Sequence, residues 1–491
     1  MAATGPTAGS VRAPGLGQVR GPRRAGSLPG VLGHTALGAL VPGSAFWIQR
    51  RHVLAGCVFL VYALLLAGLA YTLLARRQEL VKLLVQSQWL TATVIVLAAC
   101  YLAWAGVVVA SDLLSRPHEL TSGQRMGATA FTLVVCGVLA APFVVGIQFA
   151  SAQRSFIEDV FAPATESFSA TRPPVAGADD PWLGEDRVNV LLLGGDAGPN
   201  RVGTRTDSII VASIDVSSGD TVLFSLPRNL ENVPFREGTA LDRIYPNGFD
   251  GPGDPLQWML NAVYPLVPDL HPGILGRSDN EGADALKLAV SGALGLRVDY
   301  YALVSIPGFV RLIDAMGGVT VNINEPVAIG GVTGVREPED YLDPGPSQRL
   351  NGFEALWFAR GRYGSDDYER MRRQRCLIDA VIDRANPGTL LTRYKKILEA
   401  GRDVLRTDIP GEMLPAFVDL AYMVKDAKVR SVVFERSDNF APESPDYAWI
   451  QRVVAKATTP GNGEGGGNGG GGGAKSAIDS AESSCTYDPV G

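Results

Sequence analysis

Two groups of side chains in this sequence have the types and spacing for chemistry on phosphate. The first is a carboxylate pair, Asp196 and Asp207. Asp196 follows the apolar run Val188–Leu193 after two glycines, and Asp207 opens the next apolar run within Thr204-Arg205-Thr206-Asp207-Ser208. If the two runs are neighbouring strands, both carboxylates stand at one sheet edge, where ligand sites of open α/β sheets form. Two carboxylates suit Mg2+, or Mn2+ in its place, because a hard cation takes oxygen ligands and keeps positions for water and phosphate oxygens. The same aspartates also suit plain turns. The second group is Arg360, Arg362, Arg370, Arg372, Arg373 and Arg375. On a helix Arg370, Arg373 and Gln374 stand at i, i+3 and i+4 and share a face, with Arg372 and Arg375 on another. An arginine fork matches two phosphate oxygens at once, so several converging forks hold a diphosphate. The competing readings are a solvated face neutralised by Asp366, Asp367 and Glu369, and RNA binding. Pro227-Arg228-Asn229 adds one more basic residue at the end of an apolar run.

Other chemistries find little support. The chain has no Walker-type phosphate loop, HExxH zinc motif or GxSxG elbow. Its four histidines, His34, His52, His118 and His271, form no constellation. A formal charge of -6 argues against a nucleic-acid partner, which needs a basic footprint.

The charged groups need elements to position them. Val188–Leu193, Ser208–Ile214, Thr221–Ser225, Tyr300–Ser305, Val319–Ile323 and Val429–Phe434 read as strands. Helical periodicity marks Ala283–Leu294, Gly308–Ala315, Gly352–Ala359, Tyr368–Arg384, Leu390–Leu405 and Met413–Val424. Strands interleaved with helices, many strands apolar on both faces, predict an α/β fold: a three-layer α/β/α sandwich. The region 246–281, with Trp258 and several prolines, reads as extended, either a groove wall or a surface loop.

Before this region lie Val53–Ala75, Leu90–Ala110 and Met126–Ser151, all free of charge. Each exceeds the roughly 20 apolar residues that cross a bilayer. Val31–Ile48 contains His34, Pro42 and several glycines and reads as interfacial or re-entrant. Arg12, Arg20, Arg23, Arg24, Arg50 and Arg51 precede the first span. The positive-inside rule puts that end in the cytoplasm and, after three crossings, everything beyond residue 151 outside. Arg76, Arg77 and Lys82 in the first loop oppose that assignment. No cleavable leader is expected. The expected organisation is an N-terminal segment (1–52), a helical membrane anchor (53–151), a linker (152–186), a globular domain (187–457), a glycine-rich linker (458–475) and a tail (476–491). Cys376 and Cys485 lie in the outside portion, where they are either a disulfide or two unrelated thiols.

Six segments carry a further signal: Asn189–Asp196 (NVLLLGGD), Arg205–Ile210 (RTDSII), Phe224–Arg228 (FSLPR), Asp299–Val304 (DYYALV), Gly308–Val321 (GFVRLIDAMGGVTV) and Ala355–Gln374 (ALWFARGRYGSDDYERMRRQ). In type and order they resemble the LytR-CpsA-Psr family of bacterial envelope proteins, over about residues 187–385. The glycine, alanine and arginine usage is similar to that of actinobacterial members. The resemblance implies a multi-pass protein of the cell membrane with an extracytoplasmic catalytic domain. It implies transfer of a glycopolymer from a polyprenyl-pyrophosphate carrier onto peptidoglycan at the lipid bilayer surface. Carried over by residue, Asp196 and Asp207 hold Mg2+, and Arg205 and Arg228 contact phosphate. Arg360, Arg362, Arg370, Arg373 and Gln374 line the pyrophosphate pocket. The catalytic set is Asp196, Asp207, Arg205 and Arg360, with Asp367 at the acidic position before the arginine helix.

The sequence departs from the family pattern at Asn229, where Asp is usual, and at Arg375, where Gln is common. The family's basic residue–Ile–Asn motif has two imperfect counterparts, Arg243-Ile244-Tyr245 and Met259-Leu260-Asn261-Ala262. The alternatives to a transferase are a polyprenyl-pyrophosphate hydrolase and a non-catalytic envelope regulator or lipid-binding scaffold.

Overall fold

The computed structural model describes residues 25, 27–175, 177, 180–196, 205–384, 396–397, 400, 405–434, 436–437, 440–459, 478–480 and 485–488. At Asp196, Arg205, Asp207, Asp367, Asp426 and residues 478–480 the description covers the backbone. The chain forms two compact units, one of residues 1–77 and 92–148, the other of 78–91 and 149–491.

The first unit is helical. Helices α1 (Leu28–Leu40) and α2 (Ser44–Ile48) precede three long ones, α3 (His52–Ala75), α5 (Ser87–Ser115) and α6 (Ser122–Val160), of which α5 begins and α6 ends in the second unit; the short α4 (Arg77–Leu84), between α3 and α5 in sequence, belongs almost wholly to that second unit. The three long helices are long and apolar enough to cross a membrane, and most of their apolar side chains are not buried within the protein. The stretch read as interfacial is broken where Pro42 meets Gly43, whose φ of 95° is left-handed. At 13 residues, α1 spans about 20 Å, too short for a hydrocarbon core of about 30 Å.

The second unit is built on a seven-stranded mixed sheet. Its strands are β1 (Arg187–Asp196), β2 (Arg205–Asp215), β3 (Thr221–Leu226), β4 (Tyr300–Ser305), β9 (Leu405–Thr407), β10 (Val429–Val433) and β11 (Ile478–Ser480). Their order is β11-β10-β3-β2-β1-β4-β9. β1, β2 and β3 form an antiparallel meander, while β4 runs parallel to β1 and β10 parallel to β3. One face packs Leu191, Val211, Phe224 and Leu303 against helices α8 (Leu260–Leu270), α9 (Glu281–Leu294) and α14 (Tyr447–Thr458). The other face packs Val188, Val190 and Tyr300 against α13 (Leu414–Asp426), giving the three layers that alternating apolar strands require. The short α7 (Ala240–Ile244) joins the first face through Leu241.

A smaller lobe has its own core. It comprises α10 (Ile306–Met316), β5 (Val319–Ile323), the hairpin β6 (Val327–Val332) and β7 (Arg336–Leu342), β8 (Gly345–Leu350), α11 (Gly352–Arg360) and α12 (Asp367–Arg384). Ile313, Val321, Ile329, Phe358 and Leu377 meet at its centre.

Two expectations change. The region 246–281 is not simply extended, because it contains α8, with Pro265 and Pro268 inside the helix. Leu260, Ala262, Val263 and Val267 are buried, and that burial outweighs the missing amide donors. The segment before β1 is also not a bare linker. Residues 152–160 continue α6. Ser169 Oγ and Ala170 N donate to the Asp284 carboxylate at 2.6 and 2.8 Å, and Phe168 N donates to Asp279 at 2.8 Å. Behind them Lys287 Nζ pairs with Asp408 at 2.7 Å, with 0% and 5% side-chain exposure. The helix expected over 390–405 lies largely outside the described residues, and its last residue opens β9.

Candidate functional site

Asp196, Asp207 and Arg205 lie on one hairpin. Asp196 and Arg205 are directly opposite each other at the open end of β1 and β2. Gly195 faces Thr206 and Gly194 faces Ser208, so Asp207 is the extra residue of a β-bulge. A bulge bends the strand and re-aims the side chains around it. β3 runs antiparallel to β2, so its last residues, Leu226 and then Pro227-Arg228, return to the same sheet edge. β4 ends there too, with Ser305 opposite Gly195. Topology therefore gathers Asp196, Arg205, Asp207 and Arg228 at one edge. The loop 197–204 lies outside the described residues.

Directly beside this edge is an apolar cavity of about 340 Å³. Its floor is the sheet face of Leu192, Gly194, Ser208, Ile210, Ala302 and Val304. These positions alternate along three adjacent strands, as side chains on one sheet face must. Gly194, Ser208 and Ala302 are small, which leaves volume above the sheet. The opposite wall comes from α10 (Phe309, Leu312), α11 (Leu356) and α12 (Leu377, Ile378, Val381). The polar part of the lining includes Arg360, Arg362, Arg370 and Gln374.

The arginines reach the cavity through local devices. Asn351 and Glu354 form a capping box that starts α11, and Arg360 ends the helix, where a cation favours the dipole. Arg360 also sits 5.9 Å from the Trp357 ring centroid. α12 begins where the Asp366 carboxylate accepts from Glu369 N at 2.7 Å. From there Arg370, Gln374, Leu377, Ile378 and Val381 follow one helical face. Arg370 is only 3% exposed, so its charge is poorly screened by water.

Arg373 and Gln374, both expected at the pocket, make hydrogen bonds to the turn that carries the arginines. Arg373 is not part of the cavity lining; its Nη2 donates to the Gly361 carbonyl and to Ser365 Oγ, holding the turn that carries Arg362. Burial lowers the pKa of this guanidinium, with Glu369 opposing. Gln374 lines the cavity while its Nε2 donates to the Ala359 carbonyl at 3.1 Å. Arg375, which the helical spacing sends to another face, is buried and donates to Ser431 Oγ of β10. Gly361 is pressed onto β6, where an added Cβ would stand 2.7 Å from the Ala328 carbonyl oxygen. Tyr363 anchors the same segment by donating to Glu337 at 2.6 Å, and that bond is the main cause raising its phenol pKa.

Of the two counterparts to the basic–Ile–Asn motif, Arg243 is exposed and donates to the Gly238 carbonyl at 3.0 Å, away from the cavity lining. Asn261 is buried, and its amide donates to the Arg228 carbonyl at 3.0 Å, which ties the second segment to the edge holding Arg228. No single segment of the sequence announces the apolar floor and wall. The alternation Leu192/Gly194, Ser208/Ile210 and Ala302/Val304 was a readable signal, but only strand order says that the three faces are adjacent.

A model described as the LytR_cpsA_psr family matches residues 163–456. Among curated proteins, Biofilm regulatory protein A of Streptococcus mutans serotype c is 28% identical over 235 residues, covering 46% of this chain and 50% of its own length. The polyisoprenyl-teichoic acid–peptidoglycan teichoic acid transferase TagU of Oceanobacillus iheyensis is 29% identical over 234 residues, covering 47% of this chain and 61% of its own. The chain thus spans about half to three-fifths of the length of these relatives. A solved structure, protein gbs0355 from Streptococcus agalactiae, aligns with 23% identity and a TM-score of 0.41, over 55% of this chain and 87% of its own.

Proposed function

Because the chain belongs to the LytR-CpsA-Psr family, we propose that it is a membrane-anchored phosphotransferase that moves a glycopolymer from a polyprenyl-pyrophosphate carrier onto peptidoglycan. The observation that carries this reading is the apolar cavity with Arg360, Arg362, Arg370 and Gln374 in its lining, beside the strand ends of Asp196 and Asp207. A prenyl diphosphate is a long apolar chain joined to a concentrated negative charge, and the cavity offers both complements. The TagU relative, a polyisoprenyl-teichoic acid–peptidoglycan teichoic acid transferase, supports the same donor and acceptor classes. The three apolar helices support a multi-pass anchor with the α/β unit extracytoplasmic.

Each residue then has a part. The leucine, isoleucine, valine and phenylalanine walls take the prenyl chain. Arg360, Arg362 and Arg370 pair with diphosphate oxygens, and Arg205 and Arg228 add charge from the sheet edge. Asp196 and Asp207 would hold Mg2+, or Mn2+; two aspartate positions at one bulged hairpin end fit a hard cation's preference for oxygen donors. Such a cation supplies charge neutralisation to the diphosphate. In the transfer, a hydroxyl oxygen of peptidoglycan bonds to the glycan-side phosphorus. The bond from that phosphorus to the bridging oxygen breaks, and polyprenyl phosphate leaves with the electron pair. The hydroxyl proton passes to solvent, and a phosphodiester remains. Buried Arg370, with Arg360 and the exposed Arg362 beside it, stabilises the charge that develops on the leaving phosphate.

The test is transfer by the full chain in detergent, from a polyprenyl-pyrophosphate-linked oligosaccharide to peptidoglycan fragments. Wild type should form the glycan–peptidoglycan adduct and release prenyl phosphate, and Asp207→Ala should form neither. Undiminished transfer by Asp207→Ala sinks the mechanism. Prenyl phosphate released without adduct indicates a hydrolase, and binding without turnover a lipid-binding regulator.

A further inference from the structure

The 361–365 turn, which carries Arg362 at the polar end of the cavity, is held from two sides. Arg373 of α12 grips it through the Gly361 carbonyl and Ser365 Oγ. The hairpin β6–β7 holds it as well, because Gly361 packs on Ala328 and Tyr363 donates to Glu337 at 2.6 Å. The Tyr363 ring lies against the hairpin backbone, where a Cβ on Gly331 would stand 3.1 Å from it. α12 is also cross-linked, since its Cys376 is bonded to Cys485; of the two readings of that pair, the disulfide holds.

The hairpin presents polar and aromatic groups beside this turn. Glu337 is exposed, and Tyr341 of β7 is 44% exposed. The bond to Glu337 is the first cause raising the Tyr363 phenol pKa, followed by burial and by the nearby charges of Glu337 and Tyr341. The two phenols and the carboxylate are therefore neighbours. Glu339 is paired with Arg336 at 3.6 Å. Tyr363 takes one of the roughly four lone-pair sites of the Glu337 carboxylate.

The direction of attack selects this surface. α12 lines the cavity from Arg370 to Ile382, about 18 Å of helix that passes from arginine to leucine, isoleucine and valine. In the transfer reading the leaving prenyl phosphate lies along the apolar part. Attacking and leaving oxygens are roughly in line in phosphoryl transfer, so the acceptor hydroxyl arrives from the arginine end. Among the described residues that end has two borders. The sheet edge is one, and its Asp196, Asp207, Arg205 and Arg228 are taken by metal and phosphate in that reading. The hairpin is the other, and its groups suit a sugar. A carboxylate accepts from hydroxyl and acetamido N–H groups, and a phenol offers a flat apolar face with a polar tip. Carboxylates at Glu337, Glu339 and Asp340 also repel a second diphosphate, which leaves a neutral ligand.

We propose that Glu337 and Tyr341, with Tyr363 joining hairpin to turn, form the acceptor subsite, which holds an N-acetylated glycan chain with its free hydroxyl toward Arg362. The proposal rests on the transfer reading and names the acceptor's place in it. One short turn then positions both substrates, the donor's charge through Arg362 and the acceptor sugar through Tyr363.

The experiment compares the full chain in detergent with Glu337→Gln and Tyr341→Ala. Glu337→Gln keeps an oxygen for the Tyr363 hydroxyl, so the turn stays in place. Muramidase-released peptidoglycan oligosaccharide and geranylgeranyl diphosphate are titrated separately, and transfer is measured against each substrate. Both variants should bind the oligosaccharide about tenfold more weakly and raise its KM in parallel, the scale of one hydrogen bond to a charged group. Geranylgeranyl diphosphate binding and the donor KM should not move. Unchanged oligosaccharide binding in both variants overturns the subsite, as does an equal loss of both ligands or a wild type that binds no oligosaccharide. Oligosaccharide binding that both variants weaken, in a wild type that transfers nothing, upholds the subsite and sinks the transfer reading.

Discussion

Gln374 Nε2 donates to the backbone carbonyl of Ala359 at 3.1 Å, so α12 grips the residue immediately before Arg360. One neutral hydrogen bond is worth about 1 kcal/mol. Gln374→Ala should therefore lower kcat/KM for the lipid donor by about fivefold or more, with little change in the thermal midpoint. Steady-state kinetics beside a thermal melt checks both halves, and an unaltered kcat/KM would remove Gln374 from the site.

Gly361 separates Arg360 from Arg362 and has no room for a side chain. In Gly361→Ala the new Cβ would meet the Ala328 carbonyl oxygen at 2.7 Å and Val327 Cγ1 at 2.8 Å. Either β6 or the arginine-bearing turn must move, and β6 is held by its pairing with β7. Transfer should fall by about tenfold or more, since misplacement by about 1 Å at a reacting centre costs up to a hundredfold. The kinetic assay used for Gln374→Ala reads the change directly.

Ala302 lies on the cavity floor between Tyr301 and Leu303, whose side chains are buried in the core on the other sheet face. Ala302→Phe should fill part of the 340 Å³ and leave the arginines in place. Geranylgeranyl diphosphate binding should be lost, with inorganic diphosphate binding retained. Calorimetric titration with the two ligands separates these outcomes, and equal loss of both would contradict the division into an apolar wall and a polar end.

Lys287 and Asp408 predict a stability effect remote from the chemistry. Asp408 accepts from Lys287 Nζ, from Tyr301 N at 2.8 Å and from Ser169 Oγ at 3.1 Å. Asp408→Ala leaves the buried ammonium without its counter-charge, a loss of about 3–5 kcal/mol. Replacing both partners, Lys287→Met with Asp408→Leu, should recover part of it, because the desolvation cost disappears with the charges. Denaturant titration followed by tryptophan fluorescence measures both, and a neutral Asp408→Ala would show that the pair adds nothing.

The large sheet was legible because its strands are long apolar runs bounded by turn residues. Val188–Leu193, Ser208–Ile214 and Thr221–Ser225 all lie within β1, β2 and β3. The hairpin β6–β7 was not, since its glycines at 330, 331 and 334 and the charges from Arg336 to Asp340 read as loop. The helix α8 was hidden by two prolines, whose cost is met by burial that no local pattern reveals. At the site, charged residues announced themselves by type, and Arg360, Arg362, Arg370 and Gln374 do line one cavity. Arg373 shows the limit of that method, because helical spacing gives a face and not the partner on it. Whether a buried arginine meets a ligand or a carbonyl depends on where the 361–365 turn comes to rest.

The bulge at Asp207 has a consequence for how this hairpin can vary. Side chains on a strand alternate with a period of two, and the extra residue at 207 absorbs one step of that alternation. Substituting Asp207 changes a functional group, but deleting it shifts Arg205 and Thr206 by one step and turns each to the opposite side. The end of the hairpin is thus permissive in chemistry and strict in count. A library that varies residue identity there would sample new reactivity, whereas one that varies loop length through 207 would mostly sample misregistered strands.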